Sequence, residues 1–227
     1  MAGASTTLAN PWLDLRRSPP YVLPEDAAAI EAFNRVADVC YRVDLTLLFE
    51  PFFGRSSAPF VVLGLNPGWN PADAAAHADA TFSRRSRQNL EHAESAFPFY
   101  LLDPSLDAPG HRWWGNKLRR PIEDVGLETV ANRVLCVEYF PYHSQRYGSR
   151  VPRVPSQDYG FGLVRDAMER EAAIVVMRSA RRWKAAIPEL ASYGRRFHLR
   201  NVQNVCISPN NCPDGYAAVI DALRSNV

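Results

Sequence analysis

The sequence predicts an α/β fold: a three-layer α/β/α sandwich around a short, mainly parallel sheet of four strands. Three observations predict it. Four short apolar runs, at 60–65, 133–137, 173–177 and 202–207, are rich in β-branched residues and lack alternation, as strands buried on both faces of a parallel sheet do. Segments with helical spacing fill the gaps between them. Each run also ends in a turn-prone stretch, so strand and helix alternate along the chain.

In order, residues 1–24 carry Pro11, Pro19, Pro20 and Pro24 and no periodicity. They are expected to form an irregular arm laid on the surface, ahead of a single domain over 25–227. Residues 25–50 read as one helix, opened by Glu25 and Asp26 and showing Ile30, Phe33, Val36, Ala37, Cys40 and Val43 at helical spacing. Helices are further predicted over 113–125, 158–170 and 179–187, the last capped by Ser179. A closing helix over 214–225 would turn Ala217, Ile220, Ala222 and Leu223 inward.

A chain of 227 residues, 47% apolar, can bury a core without disulfides or metals. No stretch reaches the ~18 consecutive apolar residues of a membrane helix, and no basic patch followed by an apolar run opens the chain. The expectation is a soluble, cytoplasmic monomer. Cys40, Cys136, Cys206 and Cys212 are scattered without a CxxC pair, and no His and carboxylate pair shows zinc-ligand spacing. No metal and no cofactor are therefore expected.

The net charge of +2 conceals an asymmetry. Residues 1–110 carry 8 basic and 13 acidic side chains, and residues 111–227 carry 18 and 11. Nearly all the cations are Arg, which reads equally as coding bias or as a face for phosphate.

In a parallel sheet, ligands bind where loops leave the C-terminal strand ends. The first such loop is Gly64-Leu65-Asn66-Pro67-Gly68-Trp69-Asn70-Pro71. Gly64 and Gly68 would bring backbone amides close to a ligand, Pro67 would stiffen the turn, and Asn66 would present a donor and an acceptor. A lone Asn-Pro-Gly is also an ordinary turn; its place directly after a buried strand is what singles it out.

The run Val62-Leu63-Gly64-Leu65-Asn66-Pro67-Gly68 resembles the first motif of the uracil-DNA glycosylase superfamily, nearest its mismatch-specific and single-strand-selective branches. Three more segments resemble that family's motifs in order: Ala96-Phe97-Pro98-Phe99, Gly110-His111-Arg112-Trp113-Trp114, and Ile207-Ser208-Pro209-Asn210-Asn211-Cys212-Pro213. The resemblance implies a glycosylase that flips a base out of DNA and cleaves its N-glycosidic bond. Asn66 and Ser208 would be catalytic. Gly64, Leu65, Pro67, Gly68, Phe99, Glu138 and Tyr139 would hold the base, with Phe99 as stacking platform and Trp69 or Tyr100 in reserve. His143, Arg146, Arg178, Arg181, Arg182, Pro209, Asn210 and Asn211 would contact DNA. Phe97 and Phe99 read equally well as core.

Two departures from the family pattern follow from residue chemistry. Cys206 stands where the second motif usually opens with His or Asn, and a thiol is a weak donor. Glu138 stands where uracil readers place Asn, and a carboxylate beside a departing base anion would oppose its departure. Either burial keeps Glu138 protonated, or the ligand brings donors of its own, such as an exocyclic amine. Glu138 reads equally as a solvated or salt-bridged residue at a strand end. Two other functions stay open: a non-catalytic member of the fold that binds nucleic acid or protein, and a hydrolase of free nucleosides or nucleotides.

Overall fold

The computed structural model describes residues 9–14 and 16–225; residues 1–8 and 15 of the expected arm lie outside them. The chain forms an α/β fold around one mixed sheet of five strands, rather than the four expected, ordered β1-β3-β2-β4-β5. The strands are β1 (Phe52–Gly54), β2 (Phe60–Leu63), β3 (Val134–Val137), β4 (Ala173–Val176) and β5 (Arg196–His198). β3, β2, β4 and β5 run parallel to one another, and β1 pairs antiparallel with β3 at one edge.

The three central strands have every residue buried. Successive side chains of a strand point to opposite faces, and here they feed two apolar clusters. Phe60, Val62, Val134, Cys136, Ala173 and Val175 join one core, and Val61, Leu63, Leu135, Val137, Ile174 and Val176 join the other. Helices α1 (Pro24–Val36), α7 (Gln157–Glu169) and α8 (Ala180–Ala186) contribute to the second core. Helices α4 (Pro109–Lys117), α5 (Arg119–Val125), α6 (Leu127–Arg133) and α9 (Tyr216–Arg224) contribute to the first.

Several expectations are corrected. The helix read over 25–50 stops at Val36, which is 83% exposed. The Asn34 side chain donates to Val43 O and accepts from Val43 N, fixing a reversal where periodicity implied continuation. Residues 202–207 are loop, not strand. Asn201 Oδ1 accepts from the amides of Gln203 and Asn204, and the Asn211 amide donates to the carbonyls of Asn204 and Cys206. Side chains thus satisfy a backbone that a ladder would otherwise pair, and β5 takes the place beside β4. Ser179 precedes α8 in a left-handed conformation and makes no capping bond with its side chain. In α9 the buried residues are Tyr216, Val219, Ile220, Ala222 and Leu223, and Ala217 is exposed. Residues 13, 14 and 16–20 of the expected arm are exposed, and Trp12 pins it to the core, its ring centroid 4.5 Å from that of Phe49.

Two further helices, α2 (Pro71–Ala78) and α3 (Ala80–Leu90), follow β2. Their sequence signal is Asn70-Pro71-Ala72-Asp73. The Asn70 side chain accepts from Ala72 N while Asp73 Oδ2 accepts from Asn70 N, a capping box with Pro at the first helical position.

Candidate functional site

The C-terminal ends of β2 and β3 are zipped together beyond the strands. Gly64 N donates to Val137 O and Phe140 N donates to Leu65 O, each at 2.9 Å. On the other side, Met177 N donates to Leu63 O at 3.0 Å, and the buried Trp183 Nε1 donates to Gly64 O at 2.8 Å. These bonds fix the start of the Asn-Pro-Gly loop from two directions and set Glu138 beside Gly64. A cavity of about 770 Å³ opens there, walled by the loop, Glu138, the 143–147 segment and α4.

Asn66 lines this cavity, half-buried. Its amide nitrogen donates to Pro67 O at 2.9 Å and to Ser144 Oγ at 3.0 Å. A carbonyl can only accept, so the bond to Pro67 fixes which end of the amide is nitrogen. Oδ1 is the group left for a ligand or water.

Glu138 lies over Gly64. A Cβ on Gly64 would overlap the Glu138 carboxylate, so any side chain here would displace that acid from its place, a matter of close approach and not of a special backbone angle. Gly68 has open space around its Cα and needs no such explanation. Oε2 of Glu138 is buried with no hydrogen-bond partner. Burial, reinforced by the nearby Glu50 carboxylate, pushes the Glu138 carboxyl up to about 8, with Arg178 and the Leu65 amide pulling the other way. At neutral pH this residue is mainly a carboxylic acid, with one O–H to give and one C=O to accept.

Glu50, His77 and His143 also line the cavity. The Tyr100 hydroxyl donates to Glu50 Oε1 at 2.5 Å, and burial raises the Glu50 carboxyl above its ordinary range. His143 is buried, with Nδ1 2.7 Å from Gly68 O and Nε2 2.9 Å from Leu48 O. His77, carried by α2, packs edge-on against the His143 ring at 5.0 Å between centroids. Burial, with the neighbouring His143 adding to it, lowers the His77 imidazole to about 2, so this ring is neutral.

The expected site residues divide into those the fold gathers and those it does not. Gly64, Leu65, Asn66, Pro67, Gly68, Glu138, His143, Arg146 and Arg178 all line the cavity. His143 does so from a buried position, pinned to two carbonyls, and offers no exposed contact to a phosphate. Phe99 is fully buried, with its ring stacked on Phe53 at 5.7 Å and edge-on to Trp114 at 5.0 Å. It is a core residue and presents no face to a ligand. Tyr139 packs against Phe161 and Trp183 in the opposite core. Of the two reserves, Tyr100 is buried and bonded to Glu50, whereas Trp69 lines the cavity.

Ser208, Pro209, Asn210 and Asn211 stand away from the cavity wall. Ser208 Oγ accepts from Asn211 N, and the Asn211 side chain staples the 201–206 loop. Ile207 N donates to Lys117 O at the C-terminal end of α4, while the cavity touches the start of that helix and its two tryptophans. Cys206 lies with this loop, its Sγ 3.2 Å from Asn204 Oδ1. Arg181 is exposed and outside the wall, and the Arg182 guanidinium stacks 5.2 Å over the Tyr147 ring, which belongs to the wall.

Among the wall residues that sequence reasoning misses, three carry chemistry of their own: Glu50, His77 and Trp113. Glu50 falls inside the overlong helix, although a lone acid within Leu47-Leu48-Phe49-Glu50-Pro51-Phe52 is a signal. His77 reads as a surface or capping residue as long as α2 goes unassigned. Trp113, 39% exposed, is a partly open aromatic on the wall, with Lys117 Nζ 5.5 Å over its ring and Trp114 packed edge-on. Among the described residues no helix is long and apolar enough to cross a membrane. Comparison with family models, curated proteins and solved structures finds no match to this chain.

Proposed function

We propose that this protein takes a nucleobase, extruded from DNA, into the cavity between Asn66 and Glu138 and hydrolyses its N-glycosidic bond. One observation carries the reading. Asn66 and Glu138, at the ends of adjacent strands, wall the same cavity, and each keeps one polar atom without a protein partner. The motif order of a uracil-DNA glycosylase-like chain, and the α/β/α layering that goes with it, support it further.

The chemistry follows from those two groups. Asn66 Oδ1 would accept a hydrogen bond from a water and aim it at the sugar carbon. As the C–O bond from that water to the sugar carbon forms, the C–N bond breaks, its electron pair leaves with the base, and the proton lost by the water ends, through solvent, on the departed base anion. Glu138 as a neutral acid would hydrogen-bond to the base as charge develops on it, where an ionised Glu138 would repel it. An acid pairs with any edge that sets an acceptor beside a donor. Lactam edges (uracil, hypoxanthine) and amidine edges (cytosine, adenine) both qualify. Trp69 and Trp113 offer stacking faces, and the exposed Arg146 and Arg178 offer charge to a flanking phosphate.

The position of the 208–213 loop favours a second reading, a hydrolase of free nucleosides. The segment expected to grip the DNA backbone is not part of the cavity wall; its loop reaches Lys117, whose ammonium lies over Trp113 of that wall. Incubation with oligonucleotides bearing uracil, hypoxanthine, xanthine or amino-bearing modified bases, followed by alkali, separates the two. Strand scission at the base supports the glycosylase, base release from free nucleosides alone supports the second reading, and neither product overturns both.

A further inference from the structure

Glu50, His77 and His143 come from the segment before β1, from α2 and from the loop after β3. One potential ligand atom from each lies within 4.8 Å of the other two. The linear spacing that argues against a metal is blind to such a cluster, because the fold brings its members together from three distant segments.

The hydrogen bonding around these side chains is incomplete in a particular way. Both nitrogens of His143 face carbonyl oxygens, and a neutral ring has a single N–H, so only one of those contacts is met by a donor. Nδ1–H donating to Gly68 O at 2.7 Å leaves the Nε2 lone pair directed toward Leu48 O at 2.9 Å and Glu50 Oε2 at 3.7 Å. Electron-rich atoms converging in this way need a proton or a cation between them. Glu50 is turned toward the same spot, because Tyr100 holds its other oxygen, Oε1. His77 has a buried Nδ1 with no partner at all.

We propose that Glu50, His77 and His143 bind one divalent transition-metal ion, zinc or a first-row neighbour, in the wall of the cavity. Two imidazoles and a carboxylate are the donor types such ions take, and three protein ligands leave a position open toward the cavity. The surroundings match those of ligating side chains elsewhere: a histidine donates its far N–H to a backbone carbonyl, and a hydroxyl orients the carboxylate. Gly68 O and Tyr100 occupy those two positions. This site uses residues other than Asn66 and Glu138 and stands whether or not the glycosylase reading does.

The test is metal binding, read without any activity. The purified chain is stripped with a chelator and titrated with Zn²⁺ against a chromophoric competitor, and with Co²⁺ by its visible absorption. One ion per chain is expected, with His77→Gln abolishing it and Tyr100→Phe weakening it about tenfold to a hundredfold. Circular dichroism establishes that each variant is folded. His77→Gln changes a residue on a short, partly exposed helix, so the test survives if the more buried Glu50→Gln does not fold. A folded wild-type chain that takes neither ion overturns the proposal. So does an affinity that His77→Gln and Tyr100→Phe leave within twofold.

Discussion

The carboxylate of Glu138 occupies the space that a side chain on Gly64 would need. A glycine at the end of β2 and an acid at the end of β3 are thus one structural unit, held in register by the bonds that join those strand ends. Gly64→Ala should expel the carboxylate from its buried position. We expect little change in stability, since only the far end of a flexible side chain must move, and base affinity reduced as far as in Glu138→Ala. Denaturant unfolding and ligand titration of both variants check this.

Acidity at Glu138 should be visible in a pH profile. The groups around it are Glu50, which with burial raises its pKa, and Arg178 and Cys136, which lower it; the result is about 8. The protonated form, the one that donates, is full below that value and is lost as pH rises through it. In the metal-stripped protein, affinity for a base with an acceptor on its paired edge should therefore fall across that window. Glu138→Gln, which keeps a donor at every pH, should flatten the profile, and a wild-type profile flat through pH ~8 would contradict the assignment.

The two aromatic candidates should behave oppositely. Phe99 is wholly buried among Phe53 and Trp114, so Phe99→Ala should cost about 3–5 kcal/mol of stability, the cost of a large core truncation. Trp113 is on the wall and partly exposed. Trp113→Ala should cost clearly less stability than Phe99→Ala, its aromatic and cationic contacts being Trp114 and Lys117, and weaken base or oligonucleotide binding by about 1–3 kcal/mol if it stacks on a base. Thermal melts and fluorescence anisotropy on the pair of variants separate packing from recognition.

Those two residues show what is legible in the sequence. The three central strands and the loops leaving them are, because continuous β-branched runs read as buried parallel strands. Asn66 and Glu138 are, because loop position follows from strand position. Phe99 and the 208–213 loop are assigned by resemblance to motifs, and motif order says nothing about which way a side chain faces. β1, three residues long, carries too little pattern to be read, and β5 is masked by the more apolar 202–207 run, which the side chains of Asn201 and Asn211 on either side hold as loop. The cluster of Glu50, His77 and His143 depends on tertiary contacts between distant segments.

Trp183 ties the site to the core. Its buried indole N–H donates to Gly64 O at 2.8 Å. Trp183→Phe removes that donor and should cost about 1–3 kcal/mol, because the carbonyl remains without a partner. Loosening the strand end should also weaken ligand binding, to a degree that grows with temperature. Unfolding curves and affinities at two temperatures check both halves.

Arg146 and Arg178 are the exposed cations on the cavity wall. If they meet phosphates, the double variant Arg146→Glu/Arg178→Glu should weaken oligonucleotide binding for every sequence. It should also flatten the log–log salt dependence by about 0.7–0.9 for each phosphate that is no longer neutralised. Anisotropy titrations between low and moderate salt measure the slope. Arg181→Glu, outside the wall, serves as the control and should change it less.

The central claim is that Asn66 directs water at a glycosidic bond while Glu138 holds the departing base. Single-turnover base release by wild type and Asn66→Ala, from oligonucleotides carrying the base panel and from the matching free nucleosides, tests it most directly. Wild type should release base, and Asn66→Ala should lose at least a hundredfold with the fold intact, a loss of about 2.7 kcal/mol or more of transition-state stabilisation. No release from any substrate, or equal release by the two proteins, would contradict it.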